Sequence, residues 1–297
     1  MEIKTQNMQN PSIYITGFSD EAAKDFSEQL RCMQEFGVRY IELRNADGIN
    51  VADFSREKTK EIRAKLEEAG IKISSIGSPI GKISIEDDFE PHFEAFKGVV
   101  ETAHSLCAPH IRLFSFYIPE GRSAEEFRGP VLERLSRFVQ YAEKEDIVLL
   151  HENEKGIYGD IGPRCLDIME QLSGPKFQAV FDFANFIECG ENTLECYSLL
   201  EPYIEYIHIK DVSREKGMVV PAGYGDGAVK RILGSLKEKG FGGFLSLEPH
   251  LSNFAGLQSL EKKAKKRETS MSQKETWKLA LDSLKAILQD LSWEAKA

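Results

Sequence analysis

"REKTKEIRAKLEEAGIKISSIGS", residues 56–78, reads as an amphipathic helix, a stop at Gly70 and a short apolar strand over Ile71–Ile76. The same order recurs along the chain. "SEQLRCMQEFGVRYIELR" stops at Gly37 before a strand at Tyr40–Leu43. "FEAFKGVVETAHSLCAPHIRLFSFY" leads to Ile111–Phe116, and "VLERLSRFVQYAEKEDIVLLHE" to Ile147–Leu150. "CLDIMEQLSGPKFQAVFDFAN", "TLECYSLLEPYIEYIHIKD" and "VKRILGSLKEKGFGGFLSLEPH" continue the series. With the opening "SIYITGF" there are eight strands, seven of them preceded by a helix, and "KETWKLALDSLKAILQDL" predicts a last helix.

Helix-to-strand alternation implies parallel strands joined by helical crossovers. The strands are short and nearly all apolar, as expected where both faces are covered. Eight such units in 297 residues predict an α/β fold, a closed (β/α)8 TIM barrel, as one domain over residues 1–297. An open doubly wound sheet is the competing architecture. It loses ground because no GxGxxG follows the first strand.

Composition narrows the function classes. Apolar content of 41% and charged content of 29% are those of a globular protein, and a net charge of −10 disfavours non-specific contact with phosphate backbones. The one dense basic run, "KKAKKR" (residues 262–267), reads as a solvated face. No apolar stretch approaches a membrane span, and "MEIKTQNMQNPS" lacks the apolar core of a signal peptide. Five scattered cysteines without a CxxC pair suit reduced thiols. A cytoplasmic protein with no nucleic-acid or membrane partner is therefore expected, and a homo-oligomer stays open.

Strand ends carry the chemistry, because barrel active sites form at the C-terminal mouth. The apolar run Ile147–Leu150 gives way at once to "HENE", with Glu152 at the strand end. The next three strands end in Asp182, His208 and Glu248. Each alone is more often a helix cap or a rim residue. Together they converge, and three carboxylates held close repel one another unless a cation intervenes. Oxygen donors with one imidazole point to a single divalent ion: Mn²⁺ first, with Mg²⁺, Co²⁺, Fe²⁺ or Zn²⁺ as alternatives.

"HENE", "FDFAN", "HIKD" followed by "PAGYGDG", and "SLEPH" resemble the motifs of the xylose-isomerase-like TIM barrels, from "GFSDEA" to the last helix. That group includes ketose 3-epimerases, hydroxypyruvate isomerase, inosose dehydratase and isomerase, and endonuclease IV. The resemblance implies that Glu152, Asp182, His208 and Glu248 are metal ligands, and that Arg214 reaches substrate oxygens. It also implies a sugar, sugar-phosphate or polyol isomerase or epimerase, with Glu152 and Glu248 exchanging a proton through an enediolate.

The chain departs from its models at several points. Endonuclease IV-like enzymes hold three zinc ions with extra histidines; here strands three and four end in "SIGSPIGK" and "RLFSFY", and Asn185 replaces a histidine. Tyr158 stands where ketose 3-epimerases carry a second glutamate, so Tyr158 and Asn185 would grip the substrate differently. An inosose-dehydratase-type lyase and a non-catalytic sugar-binding barrel are the alternatives. Two opposed glutamates argue against the binding module. Lys82 could hold a phosphate or carboxylate, and His250 could line the pocket. His151 and Glu154 read as rim or supporting residues, Lys210 and Asp211 as an ion pair beneath the site, and one of Glu42 and Arg44 as facing the mouth. His208 also needs a partner for its second ring nitrogen, which no motif supplies.

Overall fold

Glycine stops and polar caps cut the chain into its elements. Helices α1 (Phe26–Phe36) and α2 (Arg56–Ala69) end at Gly37 and Gly70, whose φ angles of 70° and 66° a side chain would strain. Asp25 accepts the Glu28 N–H at one helix start, and Ser55 accepts the Lys58 N–H at the other. The computed structural model describes residues 11–252 and 270–296. The basic run at 262–267 and the first ten residues lie outside them.

The main strands are β1 (Ile13–Gly17), β2 (Tyr40–Leu43), β3 (Lys72–Gly77), β4 (His110–Leu113), β5 (Val148–Glu152), β6 (Phe177–Asp182), β7 (Ile204–Ile209) and β8 (Gly243–Leu247). They pair in parallel from β2 through β8, and β8 pairs with β1. The ring closes through one parallel bridge between Phe18 and Glu42. A short strand at Ala295–Lys296 pairs in parallel with the start of β1, on the edge opposite β8. The remaining α-helices among the described residues are α3 (Phe89–Ser105), α4 (Arg128–Lys144), α5 (Gly162–Leu172), α6 (Phe183–Glu188), α7 (Thr193–Leu200), α8 (Val229–Glu238) and α9 (Gln273–Asp290). This curled parallel sheet with its helices is the barrel that the repeat predicts.

Strand β3 is shifted by one residue from the sequence expectation, and β4 and β5 differ at both ends. Strand β5 runs on to Glu152, so the charged end belongs to the sheet. Strand β4 stops at Leu113, because the Phe114 and Phe116 N–H groups turn to the carbonyls of Ile80 and Gly81. Phe116 takes a φ of 64° as the chain leaves the sheet.

Inside the ring, aromatic side chains fill the end where the strands begin. Tyr14, Tyr40, Phe244, Tyr206 and His110 meet at ring-centre distances of 5.1–6.1 Å. Trp277 of α9 is fully buried, stacks on Phe36 and donates to the Phe18 carbonyl at 3.1 Å, tying the last helix to the first strand. The apolar plug at one end leaves polar groups to collect at the other.

Candidate metal centre

Glu152, Asp182 and His208 lie at the ends of β5, β6 and β7, and Glu248 follows β8 directly. Each offers one ligand atom, and these atoms all lie within 4.8 Å of one another. His208 Nδ1 is 2.9 Å from Glu152 Oε1, 3.8 Å from Glu248 Oε2 and 3.9 Å from Asp182 Oδ2. All four side chains are buried. The sheet register explains the convergence: Asp182 sits directly beside His208.

Asp182 also caps α6, and its Oδ1 accepts the Asn185 N–H at 2.8 Å. Its Oδ2 is buried and accepts no hydrogen bond among the described residues. A buried carboxylate oxygen left without a donor is costly unless a cation meets it. That orphan oxygen, beside two more carboxylates and an imidazole and with no thiolate, fits a divalent ion of the harder class.

Burial and charge divide the four groups. Burial acts to raise the Glu152 carboxyl, but His208 and Arg112 outweigh it and hold it down at about 2. Glu248 is likewise driven well below the usual carboxylate range: burial opposes, and Lys210 and His250 win. Asp182 goes the other way. Burial leads, Glu248 and Glu152 add to it, and the carboxyl is pushed up to about 8 despite Lys210. His208 is raised well above an ordinary histidine, since Glu152 and Glu42 overcome its burial. Without a cation the cluster therefore keeps a proton on Asp182 and another on His208.

A ring of further charges surrounds the cluster. Arg112 Nη1 donates to Glu152 Oε2 at 2.9 Å, and its guanidinium lies against the Phe18 and Phe114 rings. Lys210 Nζ donates to Asn185 Oδ1 at 3.0 Å and Glu248 Oε2 at 3.4 Å, and lies 3.9 Å from Asp182 Oδ2. The expected Lys210–Asp211 pair does not form, because successive side chains turn to different surroundings. Asp211 instead accepts the N–H groups of Val212, Gly223, Gly225 and Gly227 at 2.9–3.0 Å.

Glu42 on β2 and Arg44 just past its end both reach into the mouth, rather than one of them, Glu42 toward His208 and Arg44 toward Glu248. Glu42 Oε2 stands 3.0 Å from His208 Nε2, which is the partner that imidazole lacked in the sequence. Arg44 bonds Asp20 at 2.9 Å, Glu21 at 3.0 Å and Glu248 at 3.3 Å. A second group with metal-ligand spacing, Glu21, Glu248 and His250, surrounds the same carboxylate oxygens that this guanidinium already neutralises.

A cavity of about 790 Å³ opens onto the cluster. The ligand candidate Glu248 lines it together with Arg112, Asn185, Lys210 and His250, and Lys82 and Arg214 line it too. Asn185 Nδ2 donates to the Asn153 carbonyl at 2.9 Å and lies 3.4 Å from Glu152 Oε1. The His250 ring lies between Glu21 and Glu248, which raise it to about 9 against its own burial. Lys82 Nζ pairs with Glu154 Oε2 at 2.8 Å over the Phe114 ring, so Glu154 is a wall residue tied to that lysine. Arg214 is exposed, and its guanidinium donates to the Glu191 carbonyl.

Two expected site residues lie elsewhere. The Tyr158 side chain is buried, and its hydroxyl donates to Asp167 Oδ2 at 2.7 Å on α5, so it does not line the cavity. His151 faces the helix layer near Phe177, as alternation with Glu152 requires, and burial lowers it to about 4. Sequence reasoning missed Arg112 altogether. Its signal was a lone guanidinium inside the apolar run "HIRLF", where a strand covered on both faces has no place for one unless it faces a site.

The family model for the xylose isomerase-like TIM barrel matches residues 30–287. A 3-dehydroshikimate dehydratase of Bacillus anthracis is 21% identical over 188 residues, which are 63% of this chain and 67% of that protein. Among solved structures, a D-allulose 3-epimerase from Methylomonas sp. matches with a TM-score of 0.73 at 15% identity, covering 94% of this chain and 99% of its own. A xylose isomerase-like barrel protein from Mycobacterium smegmatis in complex with magnesium matches with a TM-score of 0.68 at 18% identity, covering 95% and 98%. At these identities the structural likeness speaks for the fold, and the family model spans most of the sequence: the chain belongs to the xylose isomerase-like TIM barrel family.

Proposed function

We propose that this protein is a divalent-metal-dependent isomerase or epimerase of a small sugar or polyol, moving a proton at the carbon next to a carbonyl. One observation carries the reading: two buried glutamates, Glu152 and Glu248, stand within 4 Å of the same imidazole nitrogen and are kept ionised by separate cations. Arg112 holds the first, and Lys210 and Arg44 hold the second. Glu152, Asp182, His208 and Glu248 would hold the ion. Bound there, a divalent cation supplies Lewis acidity that polarises the carbonyl and makes the adjacent C–H bond acidic.

The chain's own groups do the rest. One glutamate accepts the carbon-bound proton, and the other, ionised at rest, takes up a proton from solvent through the cavity and delivers it to the neighbouring or opposite position, while the first later gives its proton back to solvent. Lys210 and Asn185 offer hydrogen bonds to substrate oxygens from the cavity floor, and Arg214 and Lys82 do so from farther out. Buried charges that do not reorganise are well suited to stabilising negative charge as it develops on oxygen.

A second reading, a dehydratase, is favoured by the 3-dehydroshikimate dehydratase relative and by the absence from the cavity of a second glutamate at position 158. Both reactions begin by removing the same kind of proton. They part when the hydroxyl one carbon further on either stays or leaves as water. Ketoses, inososes, hydroxypyruvate and 3-dehydroshikimate, assayed with and without Mn²⁺ in D₂O, separate them. Isomerisation places solvent deuterium on carbon at unchanged composition, whereas dehydration gives a product one water lighter. Glu152→Gln and Glu248→Gln should each cut turnover by about 10²-fold or more. Normal turnover in the double variant would refute both readings.

A further inference from the structure

We infer that Glu42 is the positioning residue of the metal centre: its carboxylate fixes the His208 ring so that Nδ1 faces Glu152, Asp182 and Glu248, and it would supply negative charge to balance a bound divalent ion. Glu42 comes from β2, across the barrel from His208 on β7, and is fully buried. Its Oε2 stands 3.0 Å from His208 Nε2 and accepts from Ser246 Oγ at 2.7 Å. The inference rests on the four-ligand reading above.

Tautomer chemistry gives the first argument. An imidazole that offers Nδ1 to a cation must carry its proton on Nε2, and that proton needs an acceptor where the ring is fully buried. Glu42 Oε2 is that acceptor. The reverse tautomer would set the Nε2 lone pair against a carboxylate oxygen, which is repulsive.

The fold also keeps a carboxylate where a neutral acceptor would do. Glutamine could take the same hydrogen bond at far lower desolvation cost. The fold instead buries a carboxylate whose Oε1 has no hydrogen-bond donor among the described residues. Glu42, Glu152, Asp182 and Glu248 bring four negative charges, and Arg112 and Lys210 bring two positive ones. A divalent ion with neutral His208 then leaves the centre neutral. Arg44 and His250, which also reach Glu248, are balanced in number by Asp20 and Glu21.

The test uses the full chain, freed of metal and titrated with Mn²⁺ by calorimetry. Glu42→Gln should weaken binding by about 10- to 100-fold while circular dichroism remains that of the wild type. Ser246→Ala, which removes one hydrogen bond to the same oxygen and leaves the charge, should cost only a few-fold, and it serves if Glu42→Gln does not fold. In Zn²⁺-loaded wild type, ¹⁵N imidazole spectra should show His208 protonated on Nε2. A wild type that binds no Mn²⁺ or Zn²⁺ would overturn the metal-site reading itself. Binding by Glu42→Gln as tight as wild type, or an Nδ1–H tautomer in the loaded protein, would overturn the role of Glu42 alone. Ser246→Ala weaker than wild type by as much as Glu42→Gln would show that packing, not charge, sets the affinity.

Discussion

Adding a divalent ion to the metal-free protein should expel protons, and the number can be worked from the site. Asp182 is pushed up to about 8 and His208 well above an ordinary histidine, so both carry protons at neutral pH before the ion arrives. A carboxylate ligand and an imidazole ligand must each lose that proton to bind. Two protons leaving together make the dissociation constant fall about 100-fold per pH unit below pH 8, or about 2.7 kcal/mol per unit. Above pH 8 Asp182 is already ionised, and the dependence should halve on the logarithmic scale. Calorimetric titration with Mn²⁺ in two buffers of different protonation enthalpy counts the protons directly. Nearly two should be released at pH 7. The same shifts give the metal-free protein the opposite slope. A carboxyl whose folded pKa is raised binds its proton more tightly in the folded state, so its contribution is present at low pH and is lost as pH rises from about 4 through about 8. The melting temperature of the metal-free form should therefore fall over that range on Asp182's account, and excess Mn²⁺ should reverse the trend. A dissociation constant flat between pH 6 and 8, with no proton release, would refute this account of the cluster.

Two further outcomes follow from particular positions. Gly81 has a φ of 89°, and an added Cβ would lie 2.0 Å from the Phe114 carbonyl oxygen, so Gly81→Ala should cost on the order of 3 kcal/mol and lower the melting temperature by roughly 5–10 °C. A thermal scan showing no loss would mean that the loop carrying Lys82 is not fixed against β4 as described. Arg214→Ala should leave Mn²⁺ affinity unchanged, since Arg214 is no ligand, and should raise KM several-fold. An unchanged kcat/KM would make it a rim residue without a part in binding.

The barrel was legible in the sequence because its signals are local. Gly37 and Gly70 stop helices wherever they stand, and short apolar strands between amphipathic helices permit few architectures. The four converging side chains could be picked out because strand ends share one mouth. What stayed hidden depends on reach across the barrel. Glu42 and His208 are 166 residues apart, and no spacing rule connects them. Tyr158 shows the converse failure: alignment with a motif gave it a place by position, yet Asp167, nine residues on, captures its hydroxyl on the outer side of the wall. The short end of β4 was hidden for a similar reason, since the carbonyls of Ile80 and Gly81 compete for the N–H groups that would have extended it.

The four N–H groups gathered on Asp211 change how "PAGYGDG" should be understood. A glycine-rich loop with inward-pointing amides usually advertises a cradle for phosphate. Here the cradle comes with a resident anion, attached to the end of the strand that carries His208. Gly225 and Gly227 could not be otherwise, because a Cβ at either would meet the Asp211 carboxylate at 2.4 and 2.8 Å. A motif of this kind is thus a self-ligated loop, already folded around its own guest. Its glycines record the shape of a side chain elsewhere in the sequence, not the shape of a substrate.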